Sequence, residues 1–109
     1  ELIIFSNGSP GLYMKNLKYW LDIPNPLRNK LNIKLNNAID ALTLAKEITE
    51  ELNIEGQLWL INFKQNRIWL KEKNAYKIRV LEGLRKQLLS FVQPRLAWEI
   101  NLLELNFIN

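Results

Sequence analysis

Apolar side chains recur at three- and four-residue intervals along nearly the whole chain, punctuated by proline and asparagine. That period is the signature of helices that bury one face. Ser6-Asn7-Gly8-Ser9-Pro10-Gly11 reads as a turn ending in a serine N-cap, with proline at the first helical position, where its missing N–H is no loss. A first helix is expected from Pro10 to Leu21. Pro24 and Pro26 then break the chain, because each fixes its own φ and pushes the preceding residue out of the helical region. A short helical piece from Pro26 to Leu31 leads into an asparagine-rich stretch. Asn36 or Asn37 is placed to cap a helix that ends at Asn53 and carries Ile39, Ala41, Leu42, Ala45, Ile48 and Leu52 at core spacing. The next segment, Glu55 to Lys71, puts Trp59, Phe63 and Leu70 on one side and Leu58, Ile61 and Ile68 on another. Its Leu-Trp-Leu-Ile-Asn-Phe run also suits a strand, and length decides for helix.

Asn74 is expected to cap a helix from Ala75 to Val92, with Ile78, Leu81, Leu84, Leu88 and Phe91 toward the core. Gly83 in its middle marks either a close helix contact or a tolerated weak point. The last helix opens at Pro94. Leu96, Ile100, Leu103 and Phe107 fall on one of its faces, while Trp98, Leu102 and Leu105 widen the apolar surface well beyond a single stripe. A helix of this kind needs cover on two sides. Either it completes its own domain's core, or a face that includes Trp98, Leu102 or Leu105 stays partly open and packs on another subunit. The expected fold class is all-α, an antiparallel bundle of about five helices preceded by a short N-terminal helix.

Composition narrows the chemistry. The chain has 109 residues and neither cysteine nor histidine. That excludes disulfides, the usual zinc sites and every nucleophile that works through a Cys–His or Ser–His–Asp arrangement. The carboxylates show no metal-ligand spacing, and no phosphate-binding G-x-x-x-x-G-K-[ST] loop occurs. No catalytic, cofactor-binding or metal-binding residue is therefore assigned. Nothing approaches eighteen consecutive apolar residues, so no membrane contact is expected and a cytoplasmic protein is the default. The chain begins at Glu1 without a methionine and reads as a piece of something longer.

Net charge is +4, unevenly spread. Eight basic residues against two acidic ones between Lys64 and Lys86 give that block +6, leaving −2 for the rest. Between Asp40 and Glu55 the sign reverses, with Asp40, Glu47, Glu50, Glu51 and Glu55 facing only Lys46. Opposed blocks of this kind suit contacts between neighbouring helices or between subunits.

Gly8-Ser9-Pro10-Gly11 opening one helix, and Gln93-Pro94-Arg95-Leu96-Ala97-Trp98-Glu99 opening the last one some eighty residues later, resemble the delta-prime subunit family of bacterial DNA polymerase III clamp loaders. The resemblance spans almost the whole chain. It implies that residues 1–24 are the end of an upstream lid domain with its linker, and that 25–109 form a helical collar-like oligomerisation domain. The same family implies packing against gamma or tau and delta subunits, with DNA and the sliding clamp reached through the full assembly. The parent would be a subunit of the polymerase holoenzyme, and this piece a non-catalytic one. In related ATP-binding loader subunits an arginine follows the turn; here Gly11 precedes Leu12, Tyr13 and Met14, which favours delta prime over gamma or tau, and Lys15 is not assigned to ATP. The alternative reading is a basic helical nucleic-acid-binding domain, with Lys71, Lys73, Lys77 and Arg79 as phosphate contacts and Trp69 and Tyr76 for stacking.

Overall fold

Among the described residues, four of the six helices begin on a side-chain cap. The computed structural model describes residues 5–90 and 92–107, in which the helices are α1 (Pro10–Asp22), α2 (Asn25–Leu31), α3 (Ala38–Glu51), α4 (Ile54–Lys71), α5 (Ala75–Leu88) and α6 (Pro94–Phe107). Phe91, expected in the core, lies outside the described residues. The Ser9 hydroxyl accepts from the Leu12 N–H, and the side-chain oxygens of Asn37, Asn53 and Asn74 accept from Asp40, Gly56 and Lys77. Each satisfies a donor that a helix start would otherwise leave unpaired. No strand occurs among the described residues.

α6 lies between α3 and α5, and α5 packs in turn on α4, so the closing helix sits inside the bundle. Three residues join α4 to α5. The pair is cross-linked antiparallel: the Gln65 amide donates to the Ile78 carbonyl and to Glu82, and Arg85 reaches back to Asn62 and Gln65. Ala41, Leu44, Ala45 and Ile48 of α3, Leu60 and Ile61 of α4, Leu81 and Leu84 of α5, and Ala97, Trp98 and Leu102 of α6 form the centre of the core.

α1 joins this core through aromatic rings. Tyr19 stacks on Trp59 at 5.7 Å between centroids, Trp59 stacks on Phe63 at 5.2 Å, and Phe5 meets both edge-on. The Trp59 indole N–H donates to Asn16, whose amide donates to the Ser6 hydroxyl, so this buried polar chain is paired throughout. Ile23 and Leu27, on either side of the proline break, are both buried. The break turns the chain without leaving the core.

The structure corrects several expected positions. α5 ends at Leu88, four residues before Val92, because the chain must reverse before Pro94 and the Ser90 hydroxyl caps the Lys86 carbonyl. Ile39, Leu42 and Leu70 are exposed, while Leu44 and Leu60 take core places. α3 buries Ala41, Leu44, Ala45 and Ile48, a narrower arc than the apolar spacing covers. A Cβ built on Gly83 meets nothing within 4 Å, so no close helix contact explains that glycine.

Candidate subunit interface and basic cleft

The two faces of α6 are the reverse of what apolar counting predicts. Trp98, Leu102 and Leu105, expected to be partly open, are 0%, 1% and 7% exposed and belong to this domain's own core. Their burial has a polar cause. The Trp98 indole N–H donates to the Gln57 side-chain oxygen at 2.9 Å, and the Gln57 amide donates to the Leu52 carbonyl, which fixes the ring inside the bundle. Asn101 is buried beside it, donating to the Ala97 carbonyl and to Gln87. A polar residue at the centre of the buried arc hides that arc from a reading of apolar periodicity.

The opposite face carries the open apolar surface. Leu96 is 46% and Ile100 50% exposed, Phe107 also faces solvent, and Leu103 between them is only partly covered. These four residues follow the i, i+4, i+7, i+11 spacing of one helix face. Leu89 and Val92, in the turn before α6, are exposed apolar residues as well. An ion pair between Arg95 and Glu99 flanks the stripe.

The turn motif has its own geometry. Asn7 and Gly8 stand at φ of 52° and 73°, a left-handed step that glycine takes without strain, after which Ser9 returns to extended backbone and caps α1. Pro10 occupies the first turn of α1 and Gly11 packs against nothing. In this chain Gly8, Ser9, Pro10 and Gly11 build a helix start. Pro94, Arg95 and Leu96 likewise open α6, with Arg95 committed to Glu99.

The basic block divides. Lys71, Lys73 and Arg79 are exposed, and Lys73 takes a left-handed conformation at φ 50° where the chain leaves α4. Lys77 turns inward and pairs with Glu72 at 2.8 Å. It thereby joins Lys64 and Arg67, which were not singled out by sequence, and Lys34 from the α2–α3 connection in lining a cleft of about 250 Å³. Burial, with like charge from Arg67 and Lys77 and against the pull of Glu72, lowers the Lys64 ammonium from 10.5 to about 8. The available signal was register, since Lys64 lies three residues after Ile61 and four before Ile68, both buried. Trp69 is exposed, and its five-residue offset from Lys64 turns it to another side of α4. Tyr76 donates its hydroxyl to Glu104 at 2.6 Å, which raises the phenol pKa. The two aromatic residues proposed for stacking are thus not brought together with the inward-facing cations.

No group of histidine, cysteine and carboxylate residues that could hold a metal ion occurs among the described residues, and no helix there is long and apolar enough to cross a membrane. The chain matches, over residues 1–105, the family described as cyanobacterial DNA polymerase III delta prime, C-terminal domain. Neither a curated protein nor a solved structure matches it.

Proposed function

The chain belongs to the family of cyanobacterial DNA polymerase III delta prime C-terminal domains, and from that membership we propose that it is a non-catalytic assembly domain holding its subunit in a replication clamp loader. Its partners in this reading are the gamma or tau and delta subunits, which it meets through a collar of helical domains; DNA and the sliding clamp are reached through the assembly. The docking face is the outer stripe of α6, formed by Leu96, Ile100, Leu103 and Phe107, in place of Trp98, Leu102 and Leu105.

One observation carries the proposal: a helix already buried on one side presents a second row of large apolar side chains at helical spacing on the other. Covering a half-exposed leucine or isoleucine is worth about 1 kcal/mol, and a few such anchors at the centre of an interface dominate its affinity. A helical face of a neighbouring subunit is the occupant that matches this row, ridge into groove.

The test is reconstitution with separately purified gamma or tau and delta subunits, read by co-elution. Changing Leu96 and Ile100 together to glutamate should abolish co-elution while helicity and melting temperature stay close to those of the unchanged chain. A double variant that assembles as tightly as the parent overturns the interface.

A further inference from the structure

Gly83 stands in the interior of α5, where glycine is a poor helix former, and no contact inside the chain accounts for it. Its surroundings follow from register. Tyr76, Val80, Gly83 and Gln87 recur at i, i+4, i+7 and i+11, which sets them on one strip along α5. Both ends of that strip reach α6: the Tyr76 hydroxyl donates to Glu104, and the Gln87 side-chain oxygen accepts from the Asn101 amide. Gly83 therefore lies at the seam between α5 and α6. On the α6 side Ile100 stands one turn before Glu104 and is half exposed. With open space where a Cβ would be, Gly83 leaves a notch beside the apolar stripe. Arg79 and Lys86, four residues before Gly83 and three after it, are exposed and make no ion pair among the described residues. Glu82, one turn before Lys86, is already engaged by Gln65 and Arg85, and Glu104 by Tyr76.

Resting on the assembly reading, we propose that a helix of the neighbouring clamp-loader subunit crosses this domain at the α5–α6 seam, lodging an apolar side chain between Gly83 and Ile100 and laying acidic residues beside Arg79 and Lys86. The distance between packed helices depends on the side chains at the crossing, and glycine permits the nearest approach. A knob from the partner fills the notch that the chain itself leaves open. Cations on the flank select an amphipathic helix with an acidic edge over one that is merely apolar. Helix stability is given up here for fit, so a side chain at position 83 should move stability and assembly in opposite directions.

The test is a binding titration of the whole chain with separately purified gamma or tau and delta subunits, beside thermal melts and sedimentation of the chain alone. Gly83→Ala should raise the melting temperature and weaken binding. Gly83→Met should leave the melting temperature no lower than the parent's and weaken binding about tenfold or more, as overfilling a fitted contact does. Arg79→Glu together with Lys86→Glu should weaken binding and, unlike Gly83→Met, flatten its dependence on salt. A charge-reversed pair that binds like the parent overturns the acidic edge. If Leu96→Glu with Ile100→Glu abolishes binding while Gly83→Met binds like the parent, the stripe stands and the crossing at Gly83 is overturned. If the parent does not bind, or all these variants bind as it does, the assembly reading fails and the crossing with it. A lower melting temperature for Gly83→Ala would give the glycine a purpose inside the domain and overturn the crossing. Self-association of the chain that Gly83→Met abolishes would hand the seam to a second copy and overturn its assignment to a neighbouring subunit.

Discussion

Single residues in this domain are read most easily where a side chain serves the backbone, and least where a polar group serves the core. Asn37 and Asn74 cap helices at places their spacing announces, and Asn53, read as the end of one helix, caps the next. Gln57, Asn101 and Lys64 instead interrupt apolar faces and are nonetheless drawn inside, two of them by hydrogen bonds that only the assembled bundle provides. Lys64 supplies a pH prediction. Its folded value of about 8 lies below the ordinary 10.5, so between those values the unfolded chain holds a proton that the folded chain has released. Stability from this group therefore rises as pH climbs from 8 to 10.5, and the cost of the buried charge is fully present below pH 8. Lys34, Arg67, Glu72 and Lys77 line the same cleft and set the local field. Lys64→Met should stabilise the domain at pH 7 by roughly 1–2 kcal/mol, allowing for solvent at the open side, and the advantage should shrink toward pH 10. Urea melts of the two proteins across that range check it; a difference independent of pH assigns the effect to packing instead. Gly83 gives a simpler case. With open space at its Cβ and helical backbone around it, Gly83→Ala should add about 0.5–1 kcal/mol, and a loss of stability in the same melts would reveal a contact that the backbone geometry does not contain.

Among the elements, every expected helix is present, and the bounds fall within one residue except at the C-terminus of α3, which ends at Glu51 rather than the expected Asn53, and at the C-terminus of α5. Periodicity, proline punctuation and asparagine caps are local signals, and local signals suffice for the existence and ends of helices. Which way a helix faces is decided by its neighbours. α6 has apolar residues on nearly all sides, so its own sequence leaves the buried arc open, and the choice rests on partners remote in the chain: Gln57 for Trp98 and Gln87 for Asn101. The two faces are separable by mutation. Trp98→Ala removes a fully buried indole and leaves Gln57 short of a partner, which should cost about 3–5 kcal/mol and unfold much of the domain near room temperature. Leu96→Glu on the outer face should lower the melting temperature by no more than a few degrees. Thermal melts followed by circular dichroism distinguish them. Should both variants melt alike, the outer stripe contributes to this domain's own stability and loses its claim as a docking face.

For the whole molecule the open matter is how α1 stands to the rest. The proline break proposes a boundary of the parent chain near residue 24, with α1 as an appendage of an upstream domain. Against that, the side chains of α1 are among the most heavily engaged aromatic contacts in the structure. Tyr19 covers one face of Trp59, Trp20 lies 5.5 Å from Phe63, and Asn16 holds the Trp59 indole. Arg28 of α2 lies over the Trp20 ring, tying the two sides of the break together. Aromatic pairs of this geometry are worth about 0.5–1.5 kcal/mol each beyond the area they bury, so removing α1 strips Trp59 and Phe63 of several kcal/mol of cover. A domain of this size has only about 5–15 kcal/mol in total. Proteases should therefore pass over the sequence around Ile23 and Leu27, which is anchored in the core, and cut first between Asn32 and Asn37, where only Leu35 is partly covered. After that cut the two pieces should stay together on a sizing column under native conditions and separate in denaturant. A chain begun at Pro24 should melt well below the full one, with Trp59 fluorescence shifted toward that of a solvated indole. If that shortened chain proves as stable as the whole, α1 is the appendage that the prolines announce, and its aromatic contacts are a docking arrangement the bundle does not need.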